Sequence, residues 1–343
     1  MTISVCIAWA MPFDMDGDAY AAQESRAAQA LEQTLLSLRL SARPPREVIV
    51  AVTGEARLRL PQASFPIRQL RLPEGTGPMV VRNTLTHEAQ GELLVFLDPQ
   101  CMATTTMMDD YAAAAQRQRG IMAGGIGFLP PAAQQPEKRG PHLPMVPDLV
   151  ALADDAQTHP DRPVPSAGLV PADGTATGLW GANWAIRVAD LQALGGFDEA
   201  YRTLSVGEAD LARRAAARGM PPRWIEGAVA LHQYRARPLP PLEQLDALLA
   251  DAAQFHVTWN QPAPERWLRA FALMGLIAPC RRGDGSSGAW RKLREPTDAD
   301  HEMTNPPEGQ VWPGSNHLVD WLEDRAVVRL DSRGGRPGAG SAA

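Results

Sequence analysis

The chain has 343 residues, 45% of them hydrophobic, and a formal net charge of −6, enough apolar material for one large core or two ordinary ones. Lys and Arg are scattered, so no basic face is laid out for a run of phosphates and nucleic acid is excluded as an expected partner. Cys6, Cys101 and Cys280 are widely separated, a basic leader is missing from a start that carries Asp14, Asp16 and Asp18, and the longest apolar run, residues 267–280, contains Arg269; a reducing, cytoplasmic setting without a transmembrane segment is expected, with peripheral docking through a helix face left open.

Residues 3–8 (I-S-V-C-I-A) and 47–52 (E-V-I-V-A-V) are short β-branched runs that predict buried strands. Between them, residues 19–40 place Leu31, Leu35 and Leu38 at helical spacing, giving a β-α-β opening. The pattern repeats with a strand at 67–72, a helix at 80–90 ended by Gly91, and a strand at 93–97, which predicts a parallel sheet. A glycine-rich strand follows at 121–129. Residues 130–175 are rich in Pro, Ala and Asp with weak periodicity, the pattern of a variable, mobile loop. Order resumes at 180–188, with helices at 189–194 and 208–218 and a strand at 224–231. Pro238, Pro240 and Pro241 then introduce two helical segments, 242–256 and 264–276. Beyond 278 the composition predicts a poorly ordered tail, 279–343, apart from a short amphipathic patch at 311–330. No internal repeat is present.

Asp98 closes the apolar run 93–97, so its carboxylate is expected at the carboxyl end of a parallel strand, where open α/β sheets bind ligands. Asp-Pro is also an ordinary turn start, and by itself that reading is the stronger one. Residues 77–104 read G-P-M-V-V-R-N-T-L-T-H-E-A-Q-G-E-L-L-V-F-L-D-P-Q-C-M-A-T. This segment resembles the family 2 glycosyltransferases, in which A-R-N precedes a helix and A-x-G-E-x-L-x-F-L-D-x-D follows it; Arg82, Asn83, Gly91, Glu92 and Asp98 match. Residues 180–214 contain G-A-N-W-A-I-R, L-G-G-F-D-E-A-Y-R and G-E-A-D-L-A-R-R, similar in order and spacing to the acceptor-side motifs of the same family. A-L-H-Q-Y at 230–234 matches the family's strand ending in histidine. The resemblance covers residues 1 to about 278.

The resemblance implies a GT-A fold: a Rossmann-like, mainly parallel sheet flanked by helices, with a C-terminal helical extension. Its parts would be a nucleotide-binding half (1–129), the variable loop (130–175), an acceptor and catalytic half (176–235) and the extension (236–278). It implies transfer of a sugar from a nucleoside-diphosphate donor, a UDP-sugar in the usual case, to an acceptor hydroxyl, usually with inversion, in bacterial glycan assembly. Departure of the diphosphate builds negative charge, which a divalent cation, Mn2+ or Mg2+, would meet. On this resemblance Arg82, Asn83, Asp98, Gln100, Trp180, Gly181 and Asn183 bind the donor, Asp98, Gln100 and His232 hold the cation, and Glu208 takes the acceptor proton with Asp210 beside it.

The sequence departs from the family at three points. The D-x-D motif is Asp98-Pro99-Gln100, so an amide stands where the second carboxylate would bind metal; Gly207 replaces the first acid of the later pair; and the strand end Val52-Thr53-Gly54 lacks the aspartate with which relatives hold uracil. A three-oxygen-or-nitrogen set with one carboxylate favours manganese over magnesium. The competing expectation is a GT-A shell that has lost catalysis and partners an active transferase. His87, His256 and His317 have no companions at ligand spacing. Trp180 and Trp184 fit a sugar-stacking role and a core role equally well, and His232 without the family context is an ordinary core histidine. There is no P-loop, no G-x-G-x-x-G after the first strand and no G-x-S-x-G elbow.

Overall fold

A computed structural model describes residues 1–9, 17–131, 148–158, 170–171, 179, 181–235, 238–264, 266–281 and 287–304. In chain order the elements are β1 (Ile3–Trp9), α1 (Gly17–Leu38), β2 (Glu47–Thr53), β3 (Ile67–Leu72), α2 (Pro78–Glu88), β4 (Leu93–Leu97), β5 (Cys101–Ala103), α3 (Met107–Arg117), β6 (Met122–Phe128), α4 (Leu149–Asp155), β7 (Gln157–Thr158) and β8 (Val170–Pro171). They continue with β9 (Asn183–Arg187), α5 (Val188–Leu194), α6 (Leu204–Ala217), β10 (Arg223–His232), α7 (Leu245–Trp259), α8 (Arg266–Leu273), β11 (Ile277–Arg281), β12 (Ser287–Lys292) and α9 (Asp298–Thr304).

The main sheet runs β3-β2-β1-β4-β9-β6-β10-β5, with β7 beside β6 and β8 beside β10. Strands β3, β2, β1 and β4 are mutually parallel. β6 and β10 share that direction, while β9 and β5 run against it. The sheet is therefore mainly parallel, as strand–helix alternation predicts; of the two reversed strands, β5 follows β4 after only three residues, a connection too short to hold a crossover helix. Alternation along each strand sends side chains to two cores. Cys6, Ile49, Phe96 and Trp184 face α2, α6 and α7, whereas Val5, Ile7, Val50 and Leu97 face α1 and α3.

Two expectations change. Gly91 does not close α2 in a left-handed turn, since the cap is Ala89 with extended backbone. Its small size matters instead, because a Cβ there would lie 2.5 Å from the Ser4 amide nitrogen, and the Gly91 amide donates to Ser4 Oγ at 2.8 Å. Order also does not end near 278. β11 and β12 form an antiparallel hairpin, Trp290 packs on the core, and Arg294 binds both Asp300 oxygens and the Met274 carbonyl. Glycine and serine at 283–288 obscure this hairpin in the composition, because turn residues resemble linker residues. Residues 305–343, including the patch expected at 311–330, and most of the loop expected at 130–175 lie outside the described residues. What is described of that loop is α4, capped by Asp148, with β7 on β6 and β8 on β10. No helix among the described residues is long and apolar enough to cross a membrane, and Cys6, Cys101 and Cys280 form no disulfide.

Candidate active site

Parallel strands deliver their carboxyl ends to one edge, and β4 delivers Asp98 there. The Asp98 amide donates to the Ala182 carbonyl at 2.8 Å, joining the end of β4 to the residue before β9. Asp98 Oδ1 accepts the Gln100 amide at 2.7 Å, a side-chain turn that aims the chain back into β5. β5 pairs with β10 so that Cys101 opposes His232, and the Gln233 amide donates to the Gln100 carbonyl at 2.9 Å. Asp98, Gln100 and His232 are thus brought to the same edge, with the His232 ring stacked on Phe128 at 5.1 Å.

A second group converges on the same two residues before β9. Arg82, on α2, is only 2% exposed and lies over the Phe96 ring, Cζ 4.7 Å from its centroid. Its Nη2 donates to the Gly181 carbonyl at 2.9 Å and stands 3.5 Å from Glu208 Oε1. Glu208, 1% exposed, accepts the Gly181 amide on Oε2 at 2.7 Å and the Trp184 indole N–H on Oε1 at 3.1 Å. The Gly181 peptide is therefore held from both sides, its N–H by Glu208 and its carbonyl by Arg82. Glycine suits this position best, with φ at +64° and an added Cβ 3.2 Å from Arg82 Nη2 and from Leu204 Cδ1. Burial pulls the Arg82 guanidinium below its ordinary value, opposed by the negative charges of Glu208 and Asp98. Burial likewise pushes the Cys6 thiol up to about 12, keeping it a neutral neighbour.

Helix α6, which carries Glu208, begins at Leu204, a turn earlier than its sequence suggests. The reason is a cap supplied from elsewhere: buried Asp251 of α7 accepts the Thr203 amide at 2.7 Å, the Thr203 hydroxyl at 2.6 Å and the Arg202 amide at 2.9 Å. Asp251 escaped the sequence reading, although a signal exists. It sits on the apolar stripe Leu245, Leu248, Ala252 and Phe255, and an acid on a buried stripe needs a partner.

Other expected donor or catalytic residues make structural contacts. Asn183 is fully buried; its Nδ2 donates to the Gly125 and Ala228 carbonyls, both at 2.9 Å, and its Oδ1 accepts the Tyr111 hydroxyl at 2.8 Å. It braces the irregular stretch of β10. Asp210 is buried against Arg214 at 2.7 Å and the Trp259 indole at 3.0 Å, tying α6 to α7. Asn83 exchanges hydrogen bonds with Phe197 and donates to Glu199 at 2.7 Å, so it joins the two motif segments. Trp184 is a core residue, fully buried between Phe96 and Phe197. The space left by Gly207 is filled by Met79, whose Sδ lies 2.4 Å from where a Cβ would stand. Trp180 lies outside the described residues.

No protein-family model and no curated protein sequence matches the chain. Among solved structures, GalNAc-T7 with UDP, GalNAc and Mn2+ superposes with a TM-score of 0.50 at 12% identity over 98% of this chain. The fold is GT-A. A mannosyltransferase from Pyrobaculum calidifontis with GDP-Man and Mn2+ gives 0.48 at 11% identity, over 98% of this chain and 76% of its own. S. aureus TarS 1–349 with UDP-GlcNAc gives 0.47 at 13% identity, over 79% of this chain and 72% of its own. The chain spans 58% of GalNAc-T7 and 43% of the longer TarS chain.

A GT-A fold implies a divalent cation beside the diphosphate, and the donors present were weighed for it. Asp98 is one carboxylate with Oδ1 already accepting the Gln100 amide, Gln100 is neutral, and no three His, Cys, Asp or Glu side chains among the described residues group to hold a metal. Hard cations gather several oxygens, and at nucleotide sites one or two protein carboxylates share that work with the substrate phosphates. By itself, the set Asp98, Gln100 and His232 does not fit a resident divalent cation.

Proposed function

We propose that this chain is a nucleotide-sugar glycosyltransferase of the family 2 kind, with Asp98 at the donor and α6 on the acceptor side. The observation that carries the reading is the meeting of β4 and α6 at Gly181–Ala182: the Asp98 backbone amide binds the Ala182 carbonyl, the Glu208 carboxylate binds the Gly181 amide, and both acids act on the one buried guanidinium of Arg82. In the reaction an acceptor hydroxyl attacks the anomeric carbon, the carbon–phosphate oxygen bond breaks, the nucleoside diphosphate leaves and the hydroxyl proton is lost. Positioning of donor and acceptor supplies most of the acceleration such a site can give. The test is release of nucleoside diphosphate from a panel of UDP- and GDP-sugars. Wild type should turn over at least one donor slowly, and Asp98→Asn should lower that rate at least about 100-fold; an unchanged rate would count against the assignment.

One observation favours a second reading, a donor-binding shell without transfer. Arg82 is already paired with Glu208, so a cluster of one cation and two carboxylates offers a diphosphate no spare positive charge. Donor binding without any release of diphosphate would select this reading.

A further inference from the structure

We propose that Glu208 is a positioning residue that clamps the Gly181 peptide and, through it, Asp98, and that it does not serve as the proton acceptor its place in the motif suggests. This rests on the donor-binding reading of the Asp98 edge.

A general base must present an open lone pair to the acceptor hydroxyl. Glu208 is only 1% exposed, and three N–H groups occupy its two oxygens: Oε2 binds the Gly181 amide at 2.7 Å, and Oε1 binds the Trp184 indole at 3.1 Å and lies 3.5 Å from the Arg82 guanidinium. All three partners are held elsewhere. Trp184 is packed between Phe96 and Phe197, Arg82 lies over Phe96 and binds the Gly181 carbonyl, and Gly181 holds a left-handed backbone with Arg82 and Leu204 close beside it. These three partners of Glu208 are all N–H donors, so they select an acceptor with no hydrogen of its own, which an ionised carboxylate is and a carboxamide is not. The next residue, Ala182, receives the Asp98 amide at 2.8 Å. A loosened Gly181 therefore moves the backbone that sets Asp98. The helix is placed for this work from a distance, because Asp251 caps it at Thr203 and Met79 fills the space at Gly207.

The experiment compares wild type with Glu208→Gln in thermal unfolding and in calorimetric titration with UDP and GDP. In the substituted chain one amide N–H must face a donor N–H, and the buried guanidinium loses its counter-charge. The melting temperature should fall by about 5 °C or more, and affinity for whichever nucleotide wild type binds should fall at least about tenfold. A melting temperature and an affinity both unchanged, the pattern of a group needed only during transfer, would overturn the proposal. A lower melting temperature with full affinity would overturn it too, leaving Glu208 a brace with no hold on the donor edge. Wild type that binds neither nucleotide would remove the functional reading along with the proposal, whereas wild-type binding without loss in the variant removes the proposal alone. Should the variant not fold, hydrogen exchange in wild type decides: the Gly181 amide and Trp184 indole N–H should stay protected with and without nucleotide, and protection lost on nucleotide binding would mean Glu208 is released to act on something else.

Discussion

Asn183 illustrates how one side chain can look like a ligand and be a brace. It bonds two backbone carbonyls and a tyrosine hydroxyl inside the sheet, so Asn183→Ala removes three buried hydrogen bonds and should cost on the order of 3 kcal/mol in urea unfolding. Nucleotide affinity measured on the remaining folded protein should be close to wild type. Gln100 is the converse case, a position where one atom changes the chemistry. Gln100→Asp places a second carboxylate two residues from Asp98, and Mn2+ titration should then detect sub-millimolar binding that wild type lacks, on the order of a tenfold gain or more; no gain would mean the edge is misaligned for a cation whatever its donors. Asp98 was legible in the sequence because an apolar run ending in an acid has one geometric outcome in a parallel sheet. The roles of Asn183 and Asp210 were not, because a sequence does not say whether an amide or carboxylate spends its hydrogen bonds inside the fold or on a ligand.

At the scale of elements, β1, β2 and β4 were written clearly in apolar runs, and α2, α5 and α7 in apolar spacing, whereas β5, β7 and β8 are too short to leave a pattern. The start of α6 was hidden because its cap is Asp251, 48 residues from Thr203, and local rules see only local caps. The hairpin β11–β12 and α9 were hidden by their turn-rich composition. Their anchor is Asp300, which accepts from Arg294 Nη1 at 2.5 Å and Nη2 at 2.9 Å and from the Thr297 amide at 2.8 Å. The Arg294 guanidinium, with the Thr297 donors and against burial, holds the Asp300 carboxyl well below the usual carboxylate range. A folded-state value below the unfolded one gives stability that is full above about pH 4 and fades as pH drops toward the folded value. Asp300→Asn should therefore cost about 2 kcal/mol at pH 7, and its gap from wild type in urea unfolding should narrow between pH 7 and pH 3. A gap independent of pH would mean the carboxylate's charge contributes nothing.

The whole molecule places a sheet between two helical layers and leaves the carboxyl ends of β1, β2 and β4 at one edge, beside Gly181–Ala182 and the start of α6. Two distant stretches of sequence, 77–104 and 180–214, meet there, and their meeting is what the order of motifs implied and what no single motif could establish. The most direct measurement of the functional account is a crystal structure of the chain soaked with UDP or GDP. The account predicts the diphosphate at the end of β4, within contact of Asp98 and next to the Gly181 peptide. A nucleotide bound elsewhere, with the Asp98 edge untouched, would contradict it.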